Sequence, residues 1–334
     1  MYNILATPGL CTLPTEWLAS SLIALGMLFS LPCHAADLTI AVTRSSLSLP
    51  VDVAQAQGYF AAEGVQVHIT ECSIGQRCLQ QLFDRSAQLA TASELPVVLS
   101  SFERADYALV ATIVTSTGNI KLIGRKSAGA TKPAQLVGKR IGVIVGSSSH
   151  YYLNTYLLYH DIDPRQITLV ALAPENIVSA LEQRQIDAFA GHSRHTGPAL
   201  KALGADGVVL EDLRLYTETY NLVADRRTLL ERRGEVVKVL RALQRAERFI
   251  AEHPQQAKRI MQTRSKLDPA FVDAIFPSFD YRLSLDQSLV STMEGMARWS
   301  LREGHVAGGQ KIPNYLGFVE AGPLSTAVPA LFDK

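Results

Sequence analysis

The sequence predicts an α/β fold of two lobes, each a mainly parallel sheet flanked by helices. Three observations carry this expectation. The chain has 334 residues, more than one ordinary domain and enough for two. Short β-branched apolar runs alternate with helical stretches, the pattern of βαβ units. That pattern pauses near Gly124 and restarts at Arg140, so one series of units is followed by a second.

Leu38–Val42 is a short apolar run of the kind that forms a buried strand. Pro50–Gly58 has a helical period and ends on a glycine stop. Val65–Ile69 alternates as a second strand, Gln76–Arg85 is a helix, and Gln88–Ala92 is a third strand. Tyr107–Val114 and Ile120–Gly124 complete the first series. In the second series, strands are expected at Arg140–Val145, Ile167–Ala171, Asp187–Gly191 and Val208–Leu210. Helices are expected from the Gly146–Ser149 turn through Tyr159, and over Glu175–Arg184. Leu229–Arg264 reads as a charged helical stretch, with Val236, Leu240, Leu243 and Ala246 on one face and its arginines solvated. Leu289–Glu303 is one more amphipathic helix, before a loose tail.

A hydrophobic content of 47% with 19% charged residues is that of a globular chain. The net charge of +1 leaves no basic excess for a nucleic-acid partner. Leu18–Leu31 is an uncharged apolar run too short to span a membrane comfortably, and Pro32 breaks it. Cys33-His34-Ala35 then offers small residues at the positions read by signal peptidase. Residues 1–35 are therefore expected to be an export signal, although residues 1–17 lack the usual Lys or Arg. Pro32 sits where a lipobox wants a small residue, which disfavours a lipoprotein anchor through Cys33. Of four cysteines, Cys11 and Cys33 fall in this segment; Cys72 and Cys78 remain. In an oxidising compartment such a close pair bridges. A zinc site would need two further ligands, and none is near in sequence. No metal and no cofactor is expected.

Four stretches carry a resemblance. Ala54–Ile69 (A-Q-A-Q-G-Y-F-A-A-E-G-V-Q-V-H-I) is similar to an element of the sulfonate/nitrate/taurine-type substrate-binding proteins of ABC importers. Leu136–Leu153 (L-V-G-K-R-I-G-V-I-V-G-S-S-S-H-Y-Y-L), Ala180–Ala190 and Arg241–Ala257 resemble later elements in the same order. The resemblance implies a type II periplasmic binding protein fold, with lobes joined by two crossing segments. The expected division is 36–118 plus 222–334 for the first lobe and 119–221 for the second. It also implies a periplasmic location, a small organic anion as ligand, and a permease and ATPase as partners, with the protein itself a monomer. Gly58, Tyr59, Phe60 and Gly64 have a structural reading, ending a helix and turning the chain into a strand.

In open α/β sheets, ligands bind beyond the carboxyl ends of strands, at helix N-termini. That rule selects Ser46 and Ser48 after the first strand, Ser73 and Gln76 after the second, and Ser93 and Glu94 after the third. Thr117 lies at the expected hinge. In the second lobe it selects Ser147, Ser148, Ser149 and His150, then His192 and Arg194. Gly146 followed by three serines suits an anion at a helix N-terminus, and also suits a plain serine cap. It is not a nucleotide P-loop, because no Lys follows. His192 and Arg194 either face an acidic ligand or are exposed loop residues. The G-H-S-R-H-T-G-P stretch departs from the Trp-x-Pro or Asp-Pro pattern of the resembled family, which leaves the ligand's identity open. The His192/His195 spacing is metal-like, but no acidic or cysteine partner adjoins it.

No G-x-S-x-G elbow, no G-x-G-x-x-G and no local triad indicates catalysis. The leading expectation is a solute-binding protein. The alternatives are an enzyme similar to the thiamine-pyrimidine synthases, whose cysteine-rich motif Cys72 and Cys78 do not reproduce, and a ligand-sensing domain on the same fold.

Overall fold

The computed structural model describes residues 37–210 and 215–332. The expected export segment, with Cys11 and Cys33, lies outside the described residues. The first part of the chain runs β1 (Leu38–Thr43), α1 (Leu49–Ala56), α2 (Tyr59–Ala62), β2 (Val67–Cys72), α3 (Gly75–Phe83), β3 (Leu89–Ser93), α4 (Glu94–Ser101) and β4 (Tyr107–Ser116). A second group follows: β5 (Ile120–Arg125), β6 (Arg140–Val143), α5 (Ser148–Tyr159), β7 (Thr168–Ala171), α6 (Ile177–Glu182), β8 (Ala188–His192), α7 (Ser193–Leu203) and β9 (Gly207–Leu210). The chain then continues through β10 (Glu218–Asp225), α8 (Arg226–Glu231), α9 (Arg233–Glu252), α10 (Pro254–Ser265), α11 (Pro269–Ile275), β11 (Phe279–Asp280), α12 (Gln287–Arg302) and α13 (Gly322–Ala327).

Two sheets result, ordered β11-β4-β10-β3-β1-β2 and β7-β6-β8-β5-β9. β1 is parallel to β2 and β3, and β6 is parallel to β7 and β8, as alternating strands and helices require. The strands on either side of the passages between sheets run the other way. β10 is antiparallel to β3 and β4, and β5 to β8 and β9. β10 enters from the second sheet and not through a βαβ crossover, the connection that sets neighbours parallel.

β10 is not among the strands expected from sequence, because Glu218 and Asn221 interrupt its apolar pattern. Both are buried and bonded. Asn221 Oδ1 accepts from Thr112 Oγ1 at 2.7 Å across the β10–β4 pair. The charged stretch read as one helix from Leu229 to Arg264 is three helices. Pro254 has no N–H to donate back, so it cannot continue α9 and opens α10. The apolar face holds nonetheless: Val236, Leu240, Leu243 and Ala246 are fully buried on the side of α9 that packs on α1, α2 and α13. The C-terminal stretch is not loose. Tyr315 is buried, Glu320 N donates to Leu109 O at 2.9 Å, and Leu324 of α13 is buried in the α9 core. A second apolar cluster is continuous from Leu95 and Leu109 beside the first sheet to Leu122 and Ile141 in the second, through Tyr152 and Trp299.

Cys72, the last residue of β2, and Cys78, in the first turns of α3, form a disulfide, as their spacing suggested. No helix among the described residues is long and apolar enough to cross a membrane.

Candidate functional site

A cavity lies where the carboxyl ends of β1, β2, β3, β6 and β8 converge, lined from both sheets. Each of those strands hands over to a lining segment: Thr43 and Ser45; Ser73 to Gln76; Ser93; Ile144, Ser147 and Ser148; His192 to His195. Four of these segments open helices, so the N-termini of α3, α4, α5 and α7 all border one small space. Unbonded N–H groups and aligned peptide dipoles make each terminus a weak positive pole. The cavity admits water centres over about 50 Å³, where one water needs roughly 10–15 Å³. That is the scale of a small head group.

The charged side chains on the wall are all basic or potentially so: His192, Arg194 and His195. Arg194 donates through Nη1 to Ser73 O at 2.9 Å and has no carboxylate partner among the described residues. Burial, and after it the opposing Tyr220 and Arg44 influences, leaves its pKa lowered. His195 is also buried, with neither ring nitrogen bonded, and burial pushes it well below the ordinary histidine value. Its neighbours Arg194 and His192 add to that shift.

Behind the wall, Glu218 of β10 ties the two sheets together. It accepts from Ser93 Oγ at 2.7 Å and Asn119 Nδ2 at 2.7 Å, and pairs with His192 Nε2 at 2.9 Å. Ser193 Oγ donates to Asn119 Oδ1 at 2.7 Å, extending the network to α7. Burial alone would raise the Glu218 pKa, but His192, Asn119 and Ser93 outweigh it and hold the carboxyl below its ordinary value. Glu94 has the opposite fate. Burial first, then the Glu218 charge, push it up to about 8, while Tyr216 and Thr219 N, as donors, oppose the rise. One buried carboxyl is thus kept charged and its neighbour neutral. On the first-sheet side, Tyr220 OH joins Thr43, Thr91 and Ser48 in a hydroxyl cluster.

Two hydrogen bonds span the cleft at its rim. Arg194 reaches Ser73, and Gln76 Nε2 donates to Gly146 O at 2.6 Å. Gly146 has φ +76°, and a Cβ there would lie 3.2 Å from Gln76 Nε2 and 3.3 Å from Leu99 Cδ1. Backbone conformation and close approach both call for glycine.

Of the residues expected from sequence, Ser73, Gln76, Ser93, Ser147, Ser148, His192 and Arg194 line the cavity. Ser46 and Ser48 are buried behind it, while their neighbours Ser45 and Leu47 line it. Glu94 lies beneath it on Tyr216, and Thr117 is exposed outside it. Ser149 bonds to Ser147 at 2.7 Å. His150 packs on Trp299 and His305, where burial, then His305, push its pKa down to about 4. Thr43, His195 and Tyr220 line the cavity without having been expected, and Asn119 and Ser193, which also line it, lie in segments that the strand-end rule selected without being singled out. Asn119 stands in the expected hinge segment; Tyr220 and Glu218 come with β10. Among the described residues no group of three or more His, Cys, Asp or Glu side chains could hold a metal.

A wider groove of about 780 Å³ lies between α1, β2 and α10. Its central cation, Arg264, is already paired with Asp52 at 3.0 Å and Glu71 at 2.9 Å. Asp52 and Glu71 also put two carboxylates on the groove's wall, beside a second arginine, Arg259.

The family model described as NMT1/THI5 like matches residues 47–257. The chain is 28% identical over 224 residues to the taurine-binding periplasmic protein of Escherichia coli K12, covering 66% of this chain and 68% of that one. Among solved structures it resembles the alkanesulfonate-binding protein SsuA from Xanthomonas axonopodis pv. citri bound to MOPS. The TM-score is 0.74, at 21% identity over 86% of this chain and 99% of that chain. The periplasmic aliphatic sulphonate binding protein SsuA of Escherichia coli follows at TM-score 0.73, with 17% identity over 85% and 97%. The desulfurization enzyme DSZB has the same fold, at TM-score 0.64 and 14% identity over 88% and 99%.

Proposed function

The chain belongs to the NMT1/THI5-like family, and within it we propose that this protein is a periplasmic solute-binding protein that captures a small organic anion for an ABC importer. The observation that carries the anion reading is the convergence of four helix N-termini and Arg194 on a cavity whose wall has no carboxylate. Dipoles and an uncompensated guanidinium favour negative charge there, and a head group of sulfonate or carboxylate size suits the space. The similarity to a taurine-binding protein favours sulfonates within that class. The Cys72–Cys78 disulfide fits an oxidising compartment.

A binding role is favoured over a catalytic one by how the hydroxyls are used. Ser93 and Ser193 bond to Glu218 and Asn119, Ser147 to Ile144 O and Ser149, and Thr43 to Tyr220. No wall serine or threonine among the described residues is hydrogen-bonded to a histidine, the pairing that activates a hydroxyl nucleophile.

Calorimetric titration of the purified protein with taurine, short alkanesulfonates, nitrate and small carboxylates tests this. One-to-one binding of at least one class is expected, and Arg194→Gln should weaken it tenfold or more. A hydrogen bond to a charged group contributes about 1.5–3 kcal/mol, and each 1.4 kcal/mol is about tenfold. No binding of any of these anions at millimolar concentration sinks the proposal.

A further inference from the structure

We propose that the Cys72–Cys78 disulfide is a positioning element of the ligand site, holding the intervening loop as one wall of the cavity and as the first-sheet half of the cleft's closing contacts. This rests on the reading of the cavity as the ligand site. Ser73, Ile74, Gly75 and Gln76 are consecutive cavity-lining residues, and all four lie between the two cysteines. The same short loop supplies both rim contacts: Ser73 O accepts from Arg194, and Gln76 donates to Gly146 O. The bridge joins the end of β2 to α3, so it fixes the helix N-terminus relative to the sheet edge.

At its far end the loop runs into α3, which packs on β1 and β3 through the buried Leu79 and Leu82, but restraints at its β2 end are few. β2 is the outermost strand of its sheet, bonded only through β1. Within the loop, Ile74 O accepts from Arg77 N and Cys78 N, contacts of the first helical turn itself. Breaking the bridge therefore uncouples the edge strand from α3, freeing Ser73 O to withdraw from Arg194 and letting the first turn of α3 carry Gln76 away from Gly146. Both partners lie in segments of the opposite wall, so the consequence crosses the cleft. A bridge that only stabilises would act mainly through the unfolded chain and leave those partners alone.

The test compares oxidised protein, protein reduced with dithiothreitol, and the Cys72→Ser/Cys78→Ser variant. Reduction transfers two electrons and two protons to the disulfide, giving two thiols, and dithiothreitol becomes its cyclic disulfide. Amide hydrogen exchange is followed without ligand over residues 73–78, 144–150 and 192–196, and taurine affinity is measured on each form. Val239→Ala, in the α9 core, is the control for lost stability.

Reduction and the double variant should raise exchange in all three segments and weaken taurine at least tenfold. Val239→Ala should lower Tm while changing neither. Faster exchange confined to 73–78 overturns the proposal, as does an unchanged taurine affinity on reduction. If the double variant does not fold, the reduced wild type decides. If taurine binds neither redox form, the assumed ligand class is at fault, and exchange across the cleft still decides whether the disulfide positions both walls.

Discussion

His192 Nε2 lies 2.9 Å from Oε1 of Glu218, joining the end of β8 in the second sheet to the start of β10 in the first. Glu218 is almost completely buried; Ser93 Oγ donates to the same Oε1 and Asn119 Nδ2 to Oε2. The carboxylate belongs to neither wall alone; it is held where the walls meet.

Removing one partner of such a pair leaves a buried charge uncompensated, a loss of roughly 3–5 kcal/mol in comparable cases. His192→Ala should lie at the lower end of that range, because Ser93 and Asn119 still bond to Glu218. The double variant His192→Ala/Glu218→Gln should be less destabilised than the sum of the single changes. A thermal or urea double-mutant cycle measures this. Strict additivity would mean that the pair carries no coupling.

Glu94 gives the stability a pH dependence of definite sign. Its folded pKa is raised to about 8 from the ordinary 4.5, with burial as the main cause. Between those values the folded chain keeps a proton that the unfolded chain has lost, so this group's contribution falls as pH rises through the window. Glu94→Gln should remove that fall. The gap in Tm between variant and wild type should widen in the variant's favour from pH 5 to pH 8, at about 2–4 °C per kcal/mol. A gap independent of pH counts against a neutral Glu94.

The rule that ligands sit beyond strand ends was enough to select Ser73, Gln76, Ser93, Ser147, Ser148, His192 and Arg194, because those strands are apolar or regularly alternating runs that periodicity finds. Glu218 and Tyr220 were not legible in that way. They sit on β10, a central strand whose polar residues look wrong for burial until Thr112, Ser93, Asn119 and His192 are placed against them. Those partners are remote in sequence, so the compensation exists only in the fold. Ser149 and His150 show the converse. Their sequence neighbourhood is right, but α5 begins at Ser148, and one further residue of rotation turns a side chain from the cavity towards the packing surface.

Gly146→Ala should cost both stability and retention of ligand. At φ +76° alanine is strained, and its methyl would press on Gln76 Nε2 and Leu99 Cδ1 at 3.2 and 3.3 Å. Relief comes by widening the rim, which also breaks the Gln76–Gly146 bond. The expected outcome is about 1 kcal/mol or more of lost stability together with a faster ligand off-rate in stopped-flow measurements. Lost stability with an unchanged off-rate would show that the rim does not retain ligand.

Ser148 and Ser149 are adjacent, yet they should fail in different ways. Ser148 lines the cavity at the N-terminus of α5. Its buried Oγ is near enough to Tyr216 to influence that phenol but makes no hydrogen bond of normal geometry. Ser149 Oγ is 2.7 Å from Ser147 Oγ and outside the cavity wall. Ser148→Ala therefore removes a hydroxyl with little to lose in the free protein and a full bond to gain from an anion. It should weaken ligand by about 0.5–3 kcal/mol, depending on the charge of the group it meets, while Tm stays close to wild type. Ser149→Ala breaks an internal bond and should lower stability by about 1 kcal/mol with affinity nearly unchanged. Calorimetry and thermal melts on both variants decide the matter. If Ser149→Ala loses affinity and Ser148→Ala does not, the anion lies deeper along α5 than this cavity places it.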